Sequence, residues 1–401
     1  MVQADPLGEI ADILRTIRTH LDMDVAFIGQ FAEGQRIFRH VDSRSADGPI
    51  EADTSTPLDD SYCIRVVDGR LPELIPDTGR LAEAMRLPGT IELPVGAHLS
   101  VPLRLSDGSL YGTFCCFSHR PNEALGPRDL GMLRSFAEIA ALRIERDLRR
   151  DEALYAKRER VRAMLAGGGP SMVYQPIFRL ADRRPIGAEA LSRFSAEPRR
   201  PPDEWFTEAG EVGLKVELEL QAIRNAIAGF RDIWARAPLP LGVNASAPTI
   251  LDARFAALFE GLPTERITVE LTEHEEIRDY APLIAEFACL RATGMRIAID
   301  DVGAGFASMR HILAIRPDVM KIDMGLVRSI DMDAMRSALV TALVGFARQF
   351  ECLIVAEGVE TEAEFEVLNR LEVQAVQGYL LARPEPVAAL AERLRASSRL
   401  V

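Results

Sequence analysis

The sequence predicts an α/β protein of two domains, a C-terminal (β/α)8-type, TIM-like barrel preceded by an α+β domain with a central antiparallel sheet. Three observations predict it. After Pro170, short apolar strands alternate with amphipathic helices to the end of the chain, the pattern of a barrel. Before about residue 120, strand-like runs come in pairs around tight turns. Between the two regions lies a long, highly charged helical stretch without proline, stopped by Gly167-Gly168-Gly169-Pro170.

Taken in order, Leu7, Ile10, Ile13, Leu14 and Ile17 share one face of a first helix. Asp24–Phe31 and Arg36–Val41 flank Glu33-Gly34-Gln35, and Leu99–Leu105 and Leu110–Phe117 flank Ser106-Asp107-Gly108-Ser109, which makes two hairpins. Leu130, Leu133, Phe136, Ala137 and Ala140 begin another helix, so a sheet with helices on one face is expected. That helix runs from about Asp129 to Leu165, and Glu145–Arg162 carries twelve charges in eighteen residues. Its 3–4 spacing aligns Leu133, Ala137, Ala140, Ile144, Leu154, Val161 and Leu165, with Asp147, Asp151 and Arg158 interrupting the seam. Such a seam serves either a coiled coil or a solvated linker. The barrel strands expected are Ile186–Ala190, Leu241–Val243, Ile267–Leu271, Arg296–Ile299, Val319–Ile322, Leu353–Ala356 and Ala375–Gln377.

Composition narrows the function. The 401 residues are 48% hydrophobic and 27% charged, enough to bury a core and inconsistent with global disorder. Sixty acidic residues against 47 Lys plus Arg give a net charge of −13, which argues against a DNA or RNA polymer or an anionic membrane as partner. The longest uncharged run, Ala163–Phe178, has sixteen residues with three glycines and two prolines, too short and too broken to span a bilayer. The N-terminus lacks a basic segment followed by an apolar run, and the five cysteines form no C-x-x-C pair, so a reduced, cytoplasmic protein without structural zinc is expected.

The acids carry most of the functional information. Glu189, Asn244, Glu270, Asp300-Asp301, Lys321, Glu357 and Gln377 each lie at or just past the end of an expected strand. In a parallel barrel these ends share one mouth, so residues far apart in the chain converge there. Neighbouring carboxylates in apolar surroundings repel and are costly to desolvate unless cations neutralise them. Oxygen ligands without His or Cys suit Mg²⁺ or Mn²⁺, and two ions sharing a carboxylate form an arrangement that activates water in phosphodiester hydrolysis. Lys321 is then placed to orient or deprotonate that water, or else to serve as a structural ion pair.

At these residues the chain resembles the EAL-domain cyclic di-GMP phosphodiesterases. Glu189-Ala190-Leu191 is the naming tripeptide, within Tyr174-Gln175-Pro176-Ile177 and Gly187 to Phe194. Val243–Ser246, Glu270–Glu273, Asp300–Ser308, Pro317–Asp323, Ala356–Thr361 and Gln377-Gly378-Tyr379 follow in family order, and the resemblance covers residues 168–398. It implies metal binding by Glu189, Asn244, Glu270, Asp300, Asp301 and Glu357, with Asp300 bridging two ions. It implies catalytic roles for Lys321, Glu357 and Glu189, substrate contacts for Gln175, Arg193 and Gln377, and supporting roles for Glu273 and Glu360. Gln377 also matches a position supporting the water and second metal. Phe194 stands where Trp is common, and Val302 and Met309 replace an aromatic residue and a Leu.

The N-terminal region resembles GAF sensory domains at Ser61-Tyr62-Cys63, Gly69–Pro72, Ile75-Pro76-Asp77, Gly96–Leu103 and Gly112-Thr113-Phe114. Cys63 and His98 are read as packing in preference to a chromophore or redox thiol and a haem ligand. The expectation is a GAF domain over 1–150, including a linker helix from about 129 to 165, and an EAL domain over 168–401. The implied protein is a homodimer that hydrolyses cyclic di-GMP to linear pGpG with Mg²⁺ or Mn²⁺, regulated by an unidentified GAF ligand. The alternative is a non-hydrolysing cyclic di-GMP receptor that signals to a protein partner.

Overall fold

The computed structural model describes residues 6–45, 48–272, 277–303 and 306–398. Two compact units divide between Ala153 and Leu154. In the first, helix α1 (Pro6–His20) precedes β1 (Val25–Ala32) and β2 (Gln35–Ser43). Their loop residues Glu33 and Gly34 have φ of 50° and 73°, the successive positive angles that a two-residue hairpin turn requires. Then come β3 (Ser55–Pro57), α2 (Tyr62–Val67), β4 (Leu74–Ile75), α3 (Pro88–Glu92), β5 (Ala97–Arg104) and β6 (Leu110–Ser118). The sheet is antiparallel in the order β3-β2-β1-β6-β5-β4.

Alternation along the strands makes two cores. Ala26, Ile28, Leu99, Val101, Phe114 and Cys116 pack with Leu14 and Ile17 of α1 and with Leu133, Ala137 and Ala140 of helix α4 (Pro127–Ala166). Val25, Phe27, Phe38, Cys115 and Phe117 point the other way, against Tyr62, Cys63, Val66, Leu71 and Leu87. The two expected helices thus share one face, and the second face, not foreseen, is covered by short helices and turns between Tyr62 and Val95, each too short to show a helical period. The seam of α4 is also spent within each unit. Leu133, Ala137, Ala140 and Ile144 are buried in the first unit, and Val161 and Met164 in the second beside Trp205 and Leu218, with Leu154 and Leu165 partly buried there. This replaces the coiled-coil reading of those residues.

The second unit contains β7 (Ser171–Arg179), β8 (Pro185–Arg193), α5 (Pro202–Glu211), α6 (Lys215–Trp234), β9 (Leu241–Ala245), α7 (Ala247–Ile250), α8 (Ala253–Ala257), β10 (Ile267–Leu271), α9 (Ala281–Ala292), β11 (Arg296–Val302) and α10 (Phe306–Ile315). It continues with β12 (Val319–Ile322), α11 (Met324–Val327), α12 (Ala334–Gln349), β13 (Leu353–Ala356), α13 (Glu362–Arg370), β14 (Ala375–Val376) and α14 (Val387–Ser398). The eight strands close as β10-β11-β12-β13-β14-β7-β8-β9. β7 is missing from the strands expected, and it runs antiparallel to β8 and β14, so the barrel is not parallel throughout.

Period two then sets the interior. Ile267, Val269, Leu271, Ile297, Ile299, Met320, Ile322 and Ile354 join the core between strands and helices. Ala298, Val319, Val355 and Ala375 form an apolar layer inside the barrel. Two residues further along each of those strands stand Asp300, Lys321, Glu357 and Gln377, raised by one side-chain layer to the mouth.

Candidate metal centre

Lys321 Nζ is the hub of the mouth. It lies 2.7 Å from Glu270 Oε2 and from Glu357 Oε1, and 3.2 Å from Glu189 Oε2 and from Asp300 Oδ1. Glu189 is further held by Asn244 Nδ2, which donates to its Oε1 at 2.9 Å, and by Gln377 Nε2, which donates to its Oε2 at 2.8 Å. Gln377 Nε2 also reaches Gln175 Oε1 at 3.0 Å, and Gln175 Nε2 donates to the Ala382 carbonyl at 3.1 Å. Gln377 Oε1 is buried without a hydrogen-bond partner. Behind Asn244, buried Glu219 accepts from the Ser246 amide and hydroxyl at 2.9 and 2.7 Å, which pins the turn after β9.

The β11–β12 pairing shows how two successive acids reach one mouth. Ile299 pairs with Met320 and Val302 with Ile322, so Asp300 and Asp301 together oppose Lys321. This is a bulge, and Asp301 takes φ of 51° within it. A non-glycine residue in the left-handed region is strained, a cost that concentrates at functional sites. Among the described residues, carboxylate oxygens of Glu189, Glu270 and Asp300 lie within 4.8 Å of one another, as do those of Asp300, Asp301 and Glu357. The two groups share Asp300.

One ammonium faces four carboxylates, and the proton affinities record the imbalance. Burial, opposed by Lys321 and reinforced by Glu189 and Asp300, pushes Glu270 up to about 8. Burial likewise raises Asp300, and Glu357 well above the usual carboxyl range, against the pull of Lys321. Burial alone would raise Glu189, yet Lys321 and the two amide donors hold it below its ordinary value. Burial alone would lower Lys321, but the four carboxylates keep it well above the usual lysine range. A set of buried oxygen donors with excess negative charge and no His or Cys fits hard divalent cations.

A cavity of about 690 Å³ adjoins this centre, with Arg193, Asn244, Thr272, Asp203 and Phe206 among its lining residues. The structure thus gathers Glu189, Asn244, Glu270, Asp300, Lys321, Glu357, Gln175 and Gln377 in one bonded network, sets Asp301 on its edge and puts Arg193 on the cleft wall. Glu360 falls outside: its carboxylate pairs with Arg328 at 2.7 Å and is largely exposed. Glu273 lies outside the described residues. Asp203 and Phe206 on α5, which sequence reading did not single out, line the same cavity.

A closed barrel that gathers carboxylates able to hold a metal ion at the carboxyl ends of its strands defines the class. The chain belongs to the EAL domain family, whose model matches residues 158–384, and it carries a GAF domain matched over 5–145. An uncharacterized signaling protein of Caulobacter vibrioides is 31% identical over 350 residues, 83% of this chain and 41% of that one. The bifunctional diguanylate cyclase/cyclic di-GMP phosphodiesterase MucR of Pseudomonas aeruginosa is 34% identical over 236 residues, 56% of this chain and 34% of its own. The chain therefore spans about two fifths or less of the length of these curated relatives. The solved PaMucR phosphodiesterase in complex with c-di-GMP superposes with a TM-score of 0.53 at 30% identity, covering 59% of this chain and 99% of that one. Among the described residues, no helix is long and apolar enough to cross a membrane.

Proposed function

We propose that the barrel hydrolyses cyclic di-GMP to linear pGpG using two Mg²⁺ or Mn²⁺ ions. The observation that carries this reading is the pair of carboxylate groups sharing Asp300 around Lys321. Glu189, Asn244, Glu270, Asp300, Asp301 and Glu357 would hold the ions, with Asp300 common to both. Held there, the ions would supply charge to offset the phosphodiester and would increase the acidity of a nearby water. Lys321 is the counter-ion of the cage without metal; with cations balancing the carboxylates its ammonium would lose its proton to solvent, and the neutral Nζ would orient the attacking water and accept its proton. Glu189 and Glu357 fix Lys321 as well as the ions, and Gln377 and Gln175 fix Glu189. Arg193 supplies a guanidinium to a phosphate, and Phe206 and Asp203 offer a ring face and an acceptor to a purine on the cleft wall. Glu273 and Glu360 remain assigned supporting roles around the loop after Asp301 and the second ion.

The receptor reading is disfavoured because no carboxylate of the cage is replaced and Lys321 stands at its centre. Residues 1–150 are proposed as the sensory part and 168–401 as the catalytic part of a homodimer. Support for a second copy comes from exposed apolar side chains on the three successive helices after β11: Met309 and Leu313, Met324, and Met335 and Leu339. Titration calorimetry with Mn²⁺ tests the site directly. Two ions should bind per chain, and Asp300→Asn should lose both; two ions bound normally by the variant would remove Asp300 from the centre.

A further inference from the structure

Outside the barrel, the first unit buries a group of reactive side chains that the phosphodiesterase chemistry does not use. Cys63 of α2 and Cys115 of β6 are both fully buried, with their Sγ atoms 3.5 Å apart. Ser100 Oγ lies 3.1 Å and Thr113 Oγ1 3.2 Å from the Cys115 sulfur. Arg36 reaches into the same place at 9% exposure. Its Nη1 donates to Cys63 Sγ at 3.5 Å and its Nη2 to Thr56 Oγ1 at 2.9 Å, while its Nε has no partner. The guanidinium otherwise faces aromatic rings, 4.4 Å from the Phe38 centroid and 5.8 Å from that of Phe27.

Among the described residues no carboxylate pairs with this buried cation, which meets a thiol, a hydroxyl and two rings, and such a charge is costly unless an anion faces it. The anion within reach is the Cys63 thiolate. Burial alone would push this thiol up, but the hydrogen bond with Cys115 and the charge of Arg36 bring it down to about 5. Burial and the neighbouring Cys63 hold Cys115 well above the ordinary thiol range, so the two thiols are pushed in opposite directions, Cys63 toward the thiolate and Cys115 toward the thiol. Cys116 is a built-in contrast, since it points to the opposite face of the sheet into the other core.

We propose that Cys63 and Cys115 are a modification site, a dithiol that hydrogen peroxide converts into a reversible disulfide with Cys63 as the attacking sulfur. The Cys63 thiolate attacks one peroxide oxygen, the O–O bond breaks, and hydroxide leaves and is protonated to water. Cys63 is oxidised to the sulfenic acid and the peroxide is reduced. The Cys115 sulfur then attacks the sulfenic sulfur, and its proton departs with the sulfenic hydroxyl as a second water. Two thiols and one peroxide thus give one disulfide and two waters. The sulfurs must close to about 2.05 Å, a movement that falls on α2, a six-residue helix between loops, because β6 is paired on both sides. The oxidant is small enough to enter through local opening of that cover.

The test uses the full 401-residue chain, reduced, exposed to hydrogen peroxide, alkylated and mapped by mass spectrometry. The expected result is a cross-linked Cys63–Cys115 peptide pair that dithiothreitol reverses, with Cys116 unmodified. Cys115→Ser should abolish the cross-link and leave a Cys63 sulfenic acid that dimedone captures. Arg36→Gln should slow cross-linking about tenfold or more, because a buried thiol without a facing cation stays protonated. The wild-type and Cys115→Ser results stand independently of Arg36→Gln, which alters a core side chain. Oxidation of exposed Cys289 while Cys63 and Cys115 stay fully alkylatable would overturn the proposal, as would absence of the dimedone adduct in Cys115→Ser.

Discussion

Lys321 sits within 3.2 Å of four carboxylates, so its two proposed duties separate in a mutant. Lys321→Ala removes positive charge from the cage and leaves every proposed metal ligand in place. Mn²⁺ should therefore bind at least as well by calorimetry, while kcat falls by about 10²-fold or more, as for a group acting chiefly in the transition state. Normal turnover would remove Lys321 from the chemistry. The carboxyls make a second prediction. Glu270 is raised from 4.5 to about 8 in the cage without metal. Between those values the folded state keeps a proton that the unfolded state has lost, so Glu270's contribution, complete at acid pH, fades as pH rises through 8. Cations replace that proton, so the rise in Tm on adding Mg²⁺ should grow from pH 6 to pH 8; a rise independent of pH would contradict the assignment. Most of this centre was legible in the sequence, because its residues stand at or just past the ends of short apolar runs that read as strands. The environment of Glu360 was not, since its partner Arg328 comes from a distant loop with no periodic signal.

At the scale of elements, the centre depends on a bulge and a glycine. A regular strand would send Asp300 and Asp301 to opposite faces; the extra residue in β11 brings both to the mouth. Nothing in a single sequence marks that bulge, and the same is true of the direction of β7, because apolar alternation reads alike in either sense. β3 and β4, three and two residues long, fall below any period. Gly242 carries no such signal either. A Cβ built there overlaps the Glu270 carboxylate, which β9 and β10 set side by side. Gly242→Ala should therefore displace Glu270 from Lys321, cutting turnover by about tenfold or more through lost positioning, with weaker Mn²⁺ binding. Unchanged kinetics would show that Glu270 tolerates the shift.

For the whole molecule, the proposed regulation runs along α4, whose residues Arg149 to Ala153 are exposed between the stretches buried in each unit. An insertion there changes helical phase without touching either core. One added residue rotates the downstream part of the helix by about 100° and should change turnover strongly, while seven nearly restore the phase and should largely preserve it. Equal rates for both insertions and the wild type would leave the GAF domain a passive attachment, and light scattering that finds a monomer would remove the homodimer. The central claim, a phosphodiesterase that needs its acidic cage filled with cations, is tested most directly by following cyclic di-GMP with the full chain in excess Mg²⁺ and in excess chelator. The account predicts linear pGpG in Mg²⁺ and none in chelator. Full turnover in chelator would contradict it, and so would tight binding of cyclic di-GMP in Mg²⁺ without product, which is the behaviour of a receptor.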